Sequence, residues 1–248
     1  MRTAGVDLAA EPKGTALAVI EWGPEAAALV ELHVGVADPL VVETARTVDK
    51  LGIDCALGWP DAFVEFVSDH ASDRLDGPPA DGGMEWRRTL AYRETDRRTR
   101  EVTGRWPLSV STDRLGLTAM RCAGLLARLR EDGLDVDRSG AGHIAEVYPG
   151  ATLRVWGFDT TGYRVDAGAR ARLVSQLANA APWFDAAAFA EPMTASADAF
   201  DAVIAALAAR GAALGLHVRP TPDVLGQARR EGWIALPGGV IGDLLPVS

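Results

Sequence analysis

The sequence predicts an α/β protein, a mixed sheet with helices on both faces, folded as a single domain over residues 1–248. Three observations predict it. Near the N-terminus, three runs rich in Val, Ile, Leu and Ala follow one another with only tight connections, as in an antiparallel meander. Further along, shorter apolar runs alternate with segments of helical periodicity, so the later strands join by crossovers and lie parallel. Between them, from about 73 to 112, the texture changes to Gly, Pro, Asp and Arg around one helical island, which reads as an Arg-rich insertion or lid.

The elements follow in order. Residues 3–8, 14–22 and 27–36 are the meander strands, separated by Gly, Pro and charged residues. "PLVVETARTVDK", 39–50, carries apolar positions at helical spacing. "GIDCALGWP" is a short buried strand halted by Gly58 and Pro60, and "DAFVEFVSDHA" is a helix. The island in the insertion is "WRRTLAYRETDRRTREV". Residues 115–131 form an amphipathic helix with Leu115, Leu125, Leu126 and Leu129 among its apolar positions. "HIAEVYPG" is a strand closed by Pro149 and Gly150; helices follow near 167–180 and 197–214, and "GWIAL" is a last short strand. No internal repeat interrupts this order.

Composition narrows the function. A chain of 248 residues buries a sizeable core. It has no apolar run long enough to span a bilayer and no basic-then-apolar start of a signal peptide. Cys55 and Cys122 lack metal or redox spacing, which points to a reducing, cytoplasmic setting. The net charge of −9 argues against indiscriminate binding to nucleic acid or anionic membrane, while leaving room for a local basic groove.

On that frame the acids stand out. Asp7 ends the first strand, Asp54 lies within the fourth and Glu146 within the fifth. Asp198 and Asp201, three residues apart, share a face in the first turns of a helix. Their stripe continues through Ala205 and Ala208, small enough for close approach to a sheet, beside an apolar face of Phe200, Val203, Ile204 and Leu207. Singly, each acid has a plain structural reading: a turn starter, a loop cap, an Arg partner, or acids favoured after the N-cap Ser196. Together they read differently, because acids in buried strands are costly unless paired or metal-bound.

"GVDLA", "IDCALGWP", "YRETDRRTR", "EVYPGATLRVWG", "DAFDAVIAALAARGAALG" and "EGWIALP" occur in the order seen in domain-of-unknown-function family 429, and the chain resembles that family over nearly its whole length. The resemblance implies a predicted nuclease of the ribonuclease H-like fold. By the same resemblance Asp7 corresponds to the first-strand acid of such enzymes and Asp54 to that of the fourth strand. Asp198 and Asp201 correspond to paired acids of the last helix in resolvase-type members, and Glu146 to the family's own fifth-strand acid. Asp7, Asp54, Glu146, Asp198 and Asp201 are thus the candidate catalytic residues, with Asp7, Asp54, Asp198 and Asp201 as metal ligands. Two like charges about 4 Å apart repel by ~4 kcal/mol at an effective dielectric of 20, so such acids converge only around cations. Oxygen donors select hard ions, Mg²⁺ or Mn²⁺. The expected chemistry is two-metal hydrolysis of nucleic-acid phosphodiester bonds, with DNA or RNA as the substrate partner.

Arg93, Arg97 and Arg100 follow helical spacing in the island, with Asp96 among them, and are the expected phosphate-contacting face. The alternative is a salt-bridged surface helix. Trp86 and Trp106 flank the island, as core or lid residues or as platforms for bases. "GAGHIA" from Gly140 leads into a strand and so fails as a dinucleotide fingerprint; a Walker-type loop, a zinc-spaced histidine pair and a Gly-x-Ser-x-Gly elbow are absent from the sequence. Two other functions compete with the nuclease. One is an actin-like, nucleotide-dependent phosphotransferase, with "DLAAEPKGT" as a loose phosphate loop. The other is a binding protein that keeps the fold without turnover.

Overall fold

The computed structural model describes residues 1–75 and 82–245, so part of the 73–112 insertion, residues 76–81, lies outside the described residues. Strands β1 (Arg2–Asp7), β2 (Ala16–Trp22) and β3 (Ala27–Val34) form the antiparallel meander. Helix α1 (Asp38–Ala45) leads to β4 (Lys50–Asp54), parallel to β1. Helices α2 (Asp61–Ala71), α3 (Gly83–Ala91), α4 (Glu94–Thr103) and α5 (Gly116–Glu131) intervene before β5 (Ile144–Glu146), parallel to β4. Then come α6 (Pro149–Val155), α7 (Ala167–Ala180), the two-residue β6 (Phe184–Asp185), α8 (Ala190–Ala195), α9 (Ala197–Ala213) and α10 (Leu225–Glu231). The sheet order is β5-β4-β1-β2-β3-β6, and β2 runs against the other five strands. Among the described residues, no helix is long and apolar enough to cross a membrane.

Period-two alternation divides the side chains between two faces. On one, Ala4, Val6, Leu51 and Ile53 pack with Val41 and Ala45 of α1 and with Cys122, Leu125 and Leu129 of α5. On the other, Thr3, Gly5 and Asp7 of β1 lie beside Lys50, Gly52 and Asp54 of β4, in register. Helix α9 covers this second face. Ser196 caps it by accepting from Ala199 N, and residues 199–212 are buried throughout. Phe200, Val203, Ile204 and Leu207 join Ile20 of β2 and Leu173 and Leu177 of α7 in the second half of the core.

Helix α9 lies directly on the strands because glycine is beneath it. A Cβ at Gly5 would sit 2.1 Å from Ala206 N and 2.2 Å from Ala202 O, and one at Gly52 2.6 Å from Ala205 O. The Thr3 hydroxyl locks the contact by donating to Ala206 O at 2.9 Å. Gly5→Ala must push the helix away or bend the strand, and is expected to cost about 3 kcal/mol. Urea unfolding measures it; an unchanged midpoint would mean that the helix is not seated on β1 in this way.

Several boundaries differ from the sequence expectation, for local reasons. The helix expected over 39–50 stops at Ala45, because Lys50 is already in β4. "GIDCALGWP" leaves the sheet at Asp54. The single island helix is two, α3 and α4, broken where Arg93 takes an extended backbone and Asp96 accepts from its N–H at 2.9 Å. Pro149 does not close a strand; it opens α6, where its missing N–H costs nothing. "GWIAL" reduces to one parallel bridge, Glu146 to Ile234, with Ala235 N donating to Glu146 O.

Candidate active site

A cavity of about 470 Å³ opens at the C-terminal ends of β1, β4 and β5. Asp7 and Asp54 are register partners at the ends of adjacent parallel strands, so their carboxylates emerge side by side on the α9 face. The first two turns of α9 bring Asp198 and Asp201 over the same strand ends, one half-exposed and one fully buried. Arg164, in the loop before α7, reaches acids of both β1 and α9: its guanidinium is 2.9 Å from Asp201, 3.8 Å from Asp7 and 3.9 Å from Asp198. The Tyr163 hydroxyl donates to Asp201 at 2.9 Å, fixing that carboxylate.

The Asp7 carboxylate accepts no hydrogen bond from the loop that follows it, so it does not serve as a turn cap. Among the described residues, its Oδ2 and Oδ2 of Asp201 are buried with no hydrogen-bond partner. Burial above all, then the charges of Asp54 and Asp201, push the Asp7 carboxyl well above the usual carboxylate range, against the pull of Arg164. Burial and then Asp201 do the same to Asp54. Asp201 is raised to about 6 by burial, with Arg164 and the Tyr163 hydroxyl restraining the shift. Four carboxylates therefore feel one another around a single guanidinium.

Glu146 borders the cavity but is spent elsewhere. Its register partner is Ile53, so period two turns it away from the α9 face. There Arg93 clamps it with two hydrogen bonds of 2.7 and 2.8 Å, and Leu57 N adds a third at 3.0 Å. Burial still holds the Glu146 carboxyl above its ordinary value, although Arg93 opposes the shift. Arg93 also binds Asp96 through Nε and Nη2 and donates to Glu231 O, and it is almost wholly buried. This corrects the expectation that Arg93 is a phosphate contact: its donors are used within the protein. Arg97 pairs with Glu94, Arg100 lies over the Trp106 ring at 4.8 Å, and neither lines the cavity. The aromatics are occupied as well, Trp106 stacked on Tyr92 and Trp86 edge-on to Phe66.

Arg93 borders the cavity with its donors engaged, and three further arginines reach it. Arg154 of α6, Arg114 just before α5, and Arg164 line it, with Tyr148 and Tyr163. Among the described residues, Arg114 and Arg154 make no ion pair. Arg154 lies inside the "EVYPGATLRVWG" segment, but nothing in its spacing singles it out, and Arg114 and Arg164 sit in loops without a pattern. Among the described residues, no three or more His, Cys, Asp or Glu side chains are grouped so as to hold a metal ion as they stand. The donor chemistry nevertheless suits a hard cation: oxygen ligands, two of them buried and accepting no hydrogen bond among the described residues.

A family model described as "Protein of unknown function (DUF429)" matches residues 5–224. No curated protein and no solved structure matches the chain.

Proposed function

The chain belongs to the DUF429 family of proteins of unknown function, and from the chemistry of its acid cluster we propose that it is a metal-dependent nuclease of the ribonuclease H-like kind, hydrolysing nucleic-acid phosphodiester bonds in the cytoplasm. The observation that carries the reading is Asp7 Oδ2, buried without a hydrogen bond among the described residues in an arginine-lined cavity at the ends of parallel strands, while Asp201 Oδ2, likewise without a hydrogen bond, shares with it the single guanidinium of Arg164. Buried carboxylates that share one guanidinium remain costly, and a hard cation is the partner they suit best. Asp7, Asp54, Asp198 and Asp201 would hold Mg²⁺ or Mn²⁺. Such ions supply a nucleophilic water at neutral pH and charge stabilisation for the leaving oxygen.

The chain's own residues do the rest. Tyr163 orients Asp201, and burial with the nearby negative charge keeps its hydroxyl protonated as a donor. Arg114 and Arg154 line the cavity with guanidinium groups that make no ion pair among the described residues, placed for the phosphates that flank a scissile bond. Arg154→Ala is expected to weaken oligonucleotide binding and to lower the slope of log K against log salt by ~1. A fluorescence-anisotropy titration at several salt concentrations reads this, and an unchanged slope would remove Arg154 from the interface.

One observation favours a second reading. Arg164 alone already joins Asp7, Asp198 and Asp201, as it would in a binding protein that needs no metal. A phosphotransferase has less support: Arg121 laces the β1–β2 loop shut through Ala9 O and Thr15 Oγ1, where a phosphate cradle would have to open. The deciding experiment incubates labelled single- and double-stranded DNA and RNA with the protein and Mg²⁺ or Mn²⁺, with Asp54→Asn as control. Metal-dependent cleavage lost in Asp54→Asn is the expected result; nucleic-acid binding with no cleavage under any metal would support the second reading.

A further inference from the structure

Two arginine–carboxylate assemblies border one cavity, and they are built in opposite ways. Arg93 uses all five guanidinium N–H donors: Nε to Asp96, Nη1 to Glu146 and Glu231 O, Nη2 to Asp96 and Glu146. It is locked. Arg164 meets Asp201 at 2.9 Å and Asp7 and Asp198 at nearly 4 Å, and none of these approaches has hydrogen-bond geometry. Its side chain is 52% exposed, against 3% for Arg93.

The backbone beneath Arg164 is anchored through the preceding residue, Tyr163. The neighbouring Tyr163 hydroxyl donates to Asp201, and Arg170 Nη1 donates to Tyr163 O at 2.8 Å. A change of Arg164 rotamer therefore moves a long, solvent-touched side chain and leaves the loop in place. The charge balance also makes its seat provisional. One guanidinium faces Asp7, Asp54, Asp198 and Asp201, whereas two divalent cations would match four carboxylates.

We infer that Arg164 is an exchangeable counter-ion: it holds the acids together in the metal-free protein, divalent cation displaces it, and its guanidinium then turns to a substrate phosphate in the same cavity. Arg114 and Arg154 already line that cavity, so the released guanidinium joins two others. The inference rests on reading the acids as a metal site. Its chemistry is competition between cations for shared oxygens, which like-charge repulsion enforces.

The test is calorimetric titration of Mn²⁺ into the wild type, Arg164→Gln and Arg164→Lys, with melting curves to show that each is folded. Arg164→Gln, which removes the competitor, is expected to bind Mn²⁺ about tenfold more tightly. In the presence of saturating Mn²⁺ it should bind inorganic phosphate more weakly than the wild type. Arg164→Lys keeps the charge and should bind Mn²⁺ as the wild type does. Should the wild type bind Mn²⁺ while Arg164→Gln binds it no better, or should Lys behave as Gln does, the exchange is overturned and the metal site stands. Should neither wild type nor Arg164→Gln bind Mn²⁺, the metal reading itself fails, and the exchange fails with it.

Discussion

Asp7→Asn is expected to make the metal-free protein more stable at neutral pH by about 1–3 kcal/mol, while abolishing both protection by Mn²⁺ and any cleavage. The substitution keeps the shape of the side chain and removes one charge from a buried cluster. In the wild type, Asp7, Asp54 and Asp201 titrate above their unfolded values, so the native state holds extra protons. The stability they contribute is fully present below the unfolded carboxylate range. For Asp201 it is lost as pH rises from near 3.8 through about 6, and for Asp7 and Asp54 as pH rises from the unfolded carboxylate range through their own raised values. Wild-type stability without metal should therefore decline across this window, and less steeply in Asp7→Asn. Divalent metal should reverse the decline, adding ~2.7 kcal/mol when free metal is 100 times its dissociation constant. A melting series of both proteins across pH 4–8 (about the window named), with and without Mn²⁺, measures all of this. If Mn²⁺ leaves the wild type unmoved, or protects Asp7→Asn equally, a shared metal site at the end of β1 is wrong.

Arg93→Ala is expected to destabilise the protein by ~3–5 kcal/mol, because it strands two buried carboxylates at once. Asp96 is fully buried and Glu146 nearly so, and Arg93 is the cation that both share. The loss also frees the link to α10 through Glu231 O, so the lid and the β5 edge should loosen together. Glu146→Gln removes one of the stranded charges and keeps the volume, and it should cost less, about 1–3 kcal/mol. Urea denaturation orders the two variants. Where Arg93→Ala fails to fold, Arg93→Lys serves, since a lysine keeps the charge but cannot grip two carboxylates bidentately. Near-normal stability of these variants combined with weakened oligonucleotide binding would return Arg93 to the role of a phosphate contact.

The acids and the arginines were unequally legible. Asp7 and Asp54 were visible because β-structure is a local code: an acid in or at the end of an apolar run stands out, although only the structure showed that β4 ends at Asp54. Asp198 and Asp201 were visible for a similar reason, since a spacing of three after an N-capping serine places both on one helical face. Even the close seating of α9 was partly readable in the small residues of its stripe, though the glycines beneath it, Gly5 and Gly52, emerged only in the packed structure.

Tertiary structure decided the partners. Glu146 looked like the other strand acids, yet parallel register set it opposite Ile53 and turned it toward Arg93. Arg93, Arg97 and Arg100 shared a spacing, but the break before α4 buried the first and left the others outside the cavity. Arg164 carried no pattern at all, because a loop has no period, and 157 residues separate it from Asp7 in the chain (164 − 7). Local spacing determines which face a side chain leaves from. Which opposite charge awaits it there depends on how distant segments pack, and for this protein that packing chose between a locked ion pair and an open cluster of acids.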